Sequence, residues 1–252
     1  MIILYFTATG NSLEVAKAFK DATLVSIPQA IKTKQYHFKN EQIGVVAPIY
    51  GWNMTPYVTD FLKKADLECD YLFAILTYGK YAGSAPSRLY QFAQENGINF
   101  SYVNQIEMIN NYMPVFEMEK QKQQHSKKNV AEHLKLIMTD VQNKKHLIPK
   151  MKKGVVAPLI AKSKHFDVGE GVIASFKVND KCNQCGTCSK VCPLGSIKII
   201  DNRVNFGDAC ISCLACIHNC PQVAINISRQ RSKGRYRNEH VSLAEIIKAN
   251  QQ

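Results

Sequence analysis

Eight cysteines between positions 182 and 220 have the spacing most able to dictate chemistry. They fall in two runs, CNQCGTCSKVCP and CISCLACIHNCP, each reading C-x2-C-x2-C-x3-C-P, and every cysteine of the first recurs 28 residues later in the second. A disulfide framework has no need to repeat its spacing, and a zinc ribbon places two separated pairs around one tetrahedral ion. Three thiols at i, i+3 and i+6 instead reach three corners of one iron–sulfur cube. The chemistry implied is one-electron redox. The ninth cysteine, Cys69, has no cysteine or histidine near it in sequence and is expected to be a buried thiol.

Over about fifty residues this unit resembles bacterial ferredoxins that carry two [4Fe–4S] clusters. In that family the fourth cysteine of each run serves the other cluster. The resemblance therefore implies one ligand set of Cys182, Cys185, Cys188 and Cys220, and another of Cys210, Cys213, Cys216 and Cys192. Pro193 and Pro221 turn the chain away after each fourth cysteine, and SIKI and AINI read as the returning strands of two half-domains. Small residues, Gly186 and Ala215, stand in the two loops where the backbone must fold tightly around a cube.

The second motif is TATGNS, residues 7–12, between the apolar run IILYF and a helical pattern. Strand, small-residue loop and helix gather backbone N–H groups where an anion is stabilised. A triphosphate loop would carry Lys and then Ser or Thr after its last glycine, and a dinucleotide loop would read G-x-G-x-x-G. Here Asn11 and Ser12 follow Gly10. A terminal monophosphate needs no metal clamp, and the hydroxyls of Thr7, Thr9 and Ser12, the Asn11 amide and a close backbone approach at Gly10 suit it.

YFTATGNS resembles the phosphate loop of flavodoxins, which bind flavin mononucleotide (FMN) on a five-stranded doubly wound sheet. That family places two further flavin loops after its third and fourth strands. APIYGWNMTP and TYGKYAGSAP stand at those places. The resemblance implies FMN contacts from Pro48, Tyr50, Gly51, Trp52 and Asn53 in the first, and from Thr77, Tyr78, Gly79, Tyr81 and Gly83 in the second. The second loop lacks the aspartate and tyrosine pattern of many flavodoxins, so Tyr78 and Tyr81 receive no stacking role. Trp52 stands where an aromatic often flanks the flavin ring.

Elements able to position these residues are legible. IILYF, TLVSI, QIGVVAPI, YLFAIL and FSYVNQIEMI read as strands buried on both faces. NSLEVAKAFKDA, TPYVTDFLKKA and SAPSRLYQFAQENG read as the helices between them. Val130, Leu134, Ile137, Met138 and Val141 form the apolar stripe of a further helix within 117–150. His125, His133 and His146 in that region lack zinc-site spacing and are expected on its surface. The fold expected is α/β: a flavodoxin-like five-stranded doubly wound parallel sheet over 1–150, and a small α+β two-cluster ferredoxin domain over 176–228. A connector covers 151–175, and a basic C-terminal tail with a short helix covers 229–252.

The bulk numbers agree. A chain of 252 residues with 46% hydrophobic content supports a large and a small domain. No apolar run approaches a membrane span and the first residues read as a strand, so the expectation is a cytoplasmic protein. The net charge of +12 falls to about +6 once two clusters and a flavin phosphate are counted. No recognition module accompanies the basic tail, so nucleic acid is not an expected partner. The function read from these features is low-potential electron transfer between redox partner proteins, through one FMN and two [4Fe–4S] clusters. The alternative is an FMN-dependent reductase of a small substrate fed through its own clusters, with Tyr50, Tyr78, Tyr81 or Lys80 as proton donor.

Overall fold

The computed structural model describes residues 1–150 and 176–252; the connector expected at 151–175 lies outside the described residues. The first part runs β1 (Ile2–Tyr5), α1 (Asn11–Lys17), β2 (Thr23–Ser26), α2 (Ile27–Lys32), β3 (His37–Lys39), β4 (Gln42–Tyr50), β5 (Asn53–Met54), α3 (Pro56–Lys64), β6 (Asp66–Glu68), β7 (Tyr71–Tyr78), α4 (Ala85–Glu95) and β8 (Tyr102–Glu107). Five strands pair in the order β2-β1-β4-β7-β8, all in parallel. Counted among themselves they run 2-1-3-4-5, the flavodoxin-like order, with its switch point between β1 and β4.

Both sheet faces are covered, which is why the strands are continuous apolar runs. Along β7, Tyr71, Phe73 and Ile75 enter one core with α1 and the helix α5 (Val130–Gln142). Leu72, Ala74 and Leu76 enter the other, with Ile27 of α2, Val58, Phe61 and Leu62 of α3 and Leu89 of α4. Gly44 of β4 is required by packing, since a Cβ there would lie 2.3 Å from the Phe73 ring.

Several local expectations change. The stretch 11–22 is helical only over Asn11–Lys17. The region 117–150 breaks into Met118–Gln123, a 3-10 turn His125–Lys128 and α5, with Asn129 at φ +47 between the last two. His125 lies in the turn and His146 beyond the helix; only His133 is an exposed residue of α5. Cys69 is half-buried rather than buried.

In the cysteine unit β9 (Phe176–Val178) pairs with β12 (Ile225–Ile227), and β10 (Ile197–Ile200) with β11 (Arg203–Phe206), both antiparallel. The helices Thr187–Lys190 and Ala215–His218 each follow a left-handed residue, Gly186 at φ +74 and Leu214 at φ +59. Leu214, not Ala215, is thus the counterpart of Gly186. Residues 229–252 do not project as a tail. Val241, Ile246 and Ala249 lie in the same core as α1, and the helix Leu243–Asn250 opens with a capping box of Ser242 and Glu245. Among the described residues no helix is long and apolar enough to cross a membrane.

Candidate functional site

A cavity of about 300 Å³ lies at the C-terminal edge of the sheet, beside the switch point. The loop after β1 contributes Thr7, Thr9, Asn11 and Ser12, and the end of β4 contributes Pro48, Tyr50, Gly51 and Trp52. The loop after β7 adds Thr77, Tyr78, Gly79 and Tyr81. Three residues expected here are not in the wall. Asn53 is exposed and pairs within the β4–β5 hairpin, because its backbone extends that ladder. Gly83, at φ +58, backs Trp52, whose side chain a Cβ would approach to 3.0 Å. Gly10, at φ +104, backs the loop against Asn238 and Val241.

The polar groups of the loop are hydrogen-bonded to one another and to the segment after β8. The Gly10 N–H donates to Thr7 Oγ1 (3.1 Å), the Asn111 amide donates to Thr9 Oγ1 (2.6 Å), and the Ser12 and Thr77 hydroxyls are hydrogen-bonded to each other (2.9 Å). These hydroxyls therefore shape the loop as well as facing the cavity. Two wall residues carry buried oxygens without a partner among the described residues, Tyr50 Oη and Ser212 Oγ. A buried orphan polar atom is costly unless something satisfies it, and both oxygens are closed off from the free space of the cavity. Burial and then the nearby Cys213 push the Tyr50 phenol well above its ordinary pKa, and burial raises Tyr78 and Tyr112. These phenols are hydrogen-bond donors near neutral pH rather than ready acids. Behind the wall, Lys128 Nζ donates to the Gly79 carbonyl (2.7 Å) and pairs with Glu107 (2.5 Å).

The rest of the wall escapes sequence reasoning. It includes Ile109, Asn110, Asn111, Tyr112, Val115 and Phe116 after β8, and Ser212, Cys213 and Leu214 from the second cysteine run. The paired asparagines directly after the fifth strand are the signal that could have drawn attention to the first group.

The eight cysteines lie around two smaller cavities. Cys182, Cys185, Cys188 and Cys220 line one; Cys192, Cys210, Cys213 and Cys216 line the other. Among the described residues, no three cysteine sulfurs lie within 4.8 Å of one another, whereas a tetrahedral zinc would hold thiolates about 3.8 Å apart. Burial raises Cys188 to about 11 and holds Cys213 and Cys216 well above the usual thiol range. Coordinated iron reverses this by deprotonating the thiol outright. Cys185, exposed and bonded by Thr187, is shifted downward.

The two units share one interface. Tyr57 Oη of α3 donates to the Pro193 carbonyl (3.1 Å). Buried His218, with burial holding its pKa down to about 4, is neutral: Nε2 donates to the Asn111 carbonyl (2.7 Å) and Nδ1 accepts from the Tyr236 N–H (3.2 Å).

Residues 175–221 match the family model of the 4Fe-4S dicluster domain. Fifty residues are 34% identical to a ferredoxin-like protein in the nif region of Nostoc sp. strain PCC 7120, spanning 19% of this chain and 43% of that protein. Among solved structures, a flavoprotein in complex with FMN from Lactobacillus acidophilus NCFM aligns at 16% identity, covering 41% of this chain and 91% of its own (TM-score 0.30). Rubredoxin oxygen:oxidoreductase from Desulfovibrio gigas aligns at 16% identity over 54% of this chain and 36% of its own (TM-score 0.33). The fold assignment rests on strand order and register. The chain joins a flavodoxin-like α/β domain to an iron–sulfur dicluster domain.

Proposed function

We propose that this chain is a low-potential electron-transfer protein that couples one FMN to two [4Fe–4S] clusters. The observation that carries this reading is the double position of Cys213, which lines both the large cavity and the second cysteine cavity. Cys213, with its neighbour Leu214, thus borders both proposed cofactor sites. The flavin, when bound, exchanges one or two electrons, whereas the clusters exchange one at a time.

In this reading Thr7–Ser12 hold the phosphate, and Pro48–Trp52 and Thr77–Tyr81 border the ring. Partners are redox proteins, and exposed Cys185 beside Lys190 marks the most accessible edge of the cysteine unit.

Anaerobically purified protein is expected to contain about eight iron, eight acid-labile sulfide and one FMN per chain. Zinc in place of iron, or FAD in place of FMN, would sink the assignment. The crossed ligand sets have their own test. Cys192→Ala should damage the cluster built mainly on Cys210, Cys213 and Cys216, and Cys220→Ala the one built on Cys182, Cys185 and Cys188. Spectroscopy showing each cysteine serving its own run would exclude this topology.

A further inference from the structure

The carbonyl oxygens of three consecutive residues in the loop after β1 are each held from the C-terminal half. The Asn250 amide donates to Thr7 O (2.9 Å), the Asn219 amide to Ala8 O (3.2 Å), and the Asn238 backbone N–H to Thr9 O (2.8 Å). Two of these groups also grip the cysteine runs. Asn250 donates to the carbonyl of Val191 (3.3 Å), beside Cys192, and Asn219 donates to the carbonyl of Ala215 (3.0 Å), beside Cys216. Asn219 itself lies one residue before Cys220, and both asparagines are buried.

We infer that Asn219 and Asn250 link the two proposed cofactor sites, so that flavin and clusters bind with positive cooperativity. The inference rests on the electron-carrier reading above. Its physical basis is that a peptide unit is planar: a donor fixed on a carbonyl oxygen fixes the orientation of the following N–H as well. Bonds to the oxygens of Thr7, Ala8 and Thr9 therefore set the N–H groups of Ala8, Thr9 and Gly10. Ala8 and Thr9 line the large cavity, and the Gly10 N–H braces the loop by donating to Thr7 Oγ1. The donors on the other side are positioned by the chain around Cys192, Cys216 and Cys220. Iron that orders those cysteines orders Asn219 and the Val191 carbonyl, and through them the loop. Linkage then requires the reverse effect of equal size. Asn219 and Asn250 are positioning residues; neither lines the large cavity.

The test is FMN affinity, measured by fluorescence titration under anaerobic conditions on the full chain, with clusters present and after their removal by chelator. Cluster-loaded protein is expected to bind FMN about tenfold or more tighter than cluster-free protein. In Asn219→Ala and Asn250→Ala, iron content should stay at the wild-type value while FMN binding weakens by about tenfold. The ratio between cluster-loaded and cluster-free affinity should also shrink toward one, which general destabilisation would not produce.

Equal FMN affinity with and without clusters in the unmodified chain would overturn the inference, as would a ratio unchanged in both variants. If either variant fails to fold, the unmodified chain and the other variant still decide. Failure to find FMN or iron at all would instead fall on the carrier reading.

Discussion

Gly10→Ala is expected to cost about 2–5 kcal/mol of stability and to release FMN. Two effects add. The residue sits at φ +104, where an L side chain is strained, and a Cβ there would lie 2.7 Å from Asn238 Cβ and 3.0 Å from Val241 Cβ. The neighbours cannot yield cheaply, because Asn238 holds Thr9 O through its backbone and Val241 is buried in the core shared with α1. Relief by displacement would therefore lift the segment 236–241 from the loop. Urea unfolding and the FMN retained after gel filtration check this. An alanine variant with wild-type stability and flavin content would mean that the close approach at Gly10 has no structural consequence.

Cys213→Ala is expected to separate flavin from clusters electrically while leaving both domains folded. Iron should fall from about eight to about four per chain, because the proposed ligand sets group Cys213 with Cys192, Cys210 and Cys216, with which it lines one cavity. Reduction of FMN by a one-electron donor protein should fall to the background rate of direct flavin reduction. Cys185→Ala is the informative comparison: it removes a ligand of the other set, at the exposed edge, and does not alter the wall of the large cavity. Rapid mixing under anaerobic conditions, with iron counted on the same samples, distinguishes them. Flavin reduction at the wild-type rate in Cys213→Ala would remove the reason for assigning that residue a place between the two sites.

The legible parts of this molecule are those whose information is local. The cysteine runs spell their spacing within twelve residues, and TATGNS announces a loop between a strand and a helix. The inner strands β1, β4 and β7 stand out because burial on both faces leaves little polar alternation to confuse with a helix, whereas the edge strands β2 and β8 expose Thr23 and Gln105. Local reading fails where one position depends on a distant partner. Asn238 and Asn250 are ordinary residues in a polar segment, and only the fold reveals that they meet residues 7–9. Tyr236 looks like part of a basic tail, yet its hydroxyl donates to Asn11 Oδ1 at 2.5 Å. Gly186 and Leu214 share a left-handed backbone although only one has the residue type that advertises it. Asn129 ends a continuous helical pattern by adopting φ +47, which the apolar stripe does not encode.

The bond between Thr7 and Asn250 closes a stretch of 243 residues, and this sets an order of events during synthesis. Residues 7–9 leave the ribosome first, and the asparagines that hold their carbonyls emerge only at the end of the second cysteine run (Asn219) or after it (Asn238 and Asn250). Until then water, not protein, satisfies those oxygens. Contacts this distant in sequence also form slowly, because the intervening chain must be brought together before they return any stabilisation. The nascent α/β half is therefore expected to reach its sheet early and its finished loop late. A flavin binding tightly only to the finished loop would be excluded from incomplete chains, whose flavin would have no cluster with which to exchange electrons.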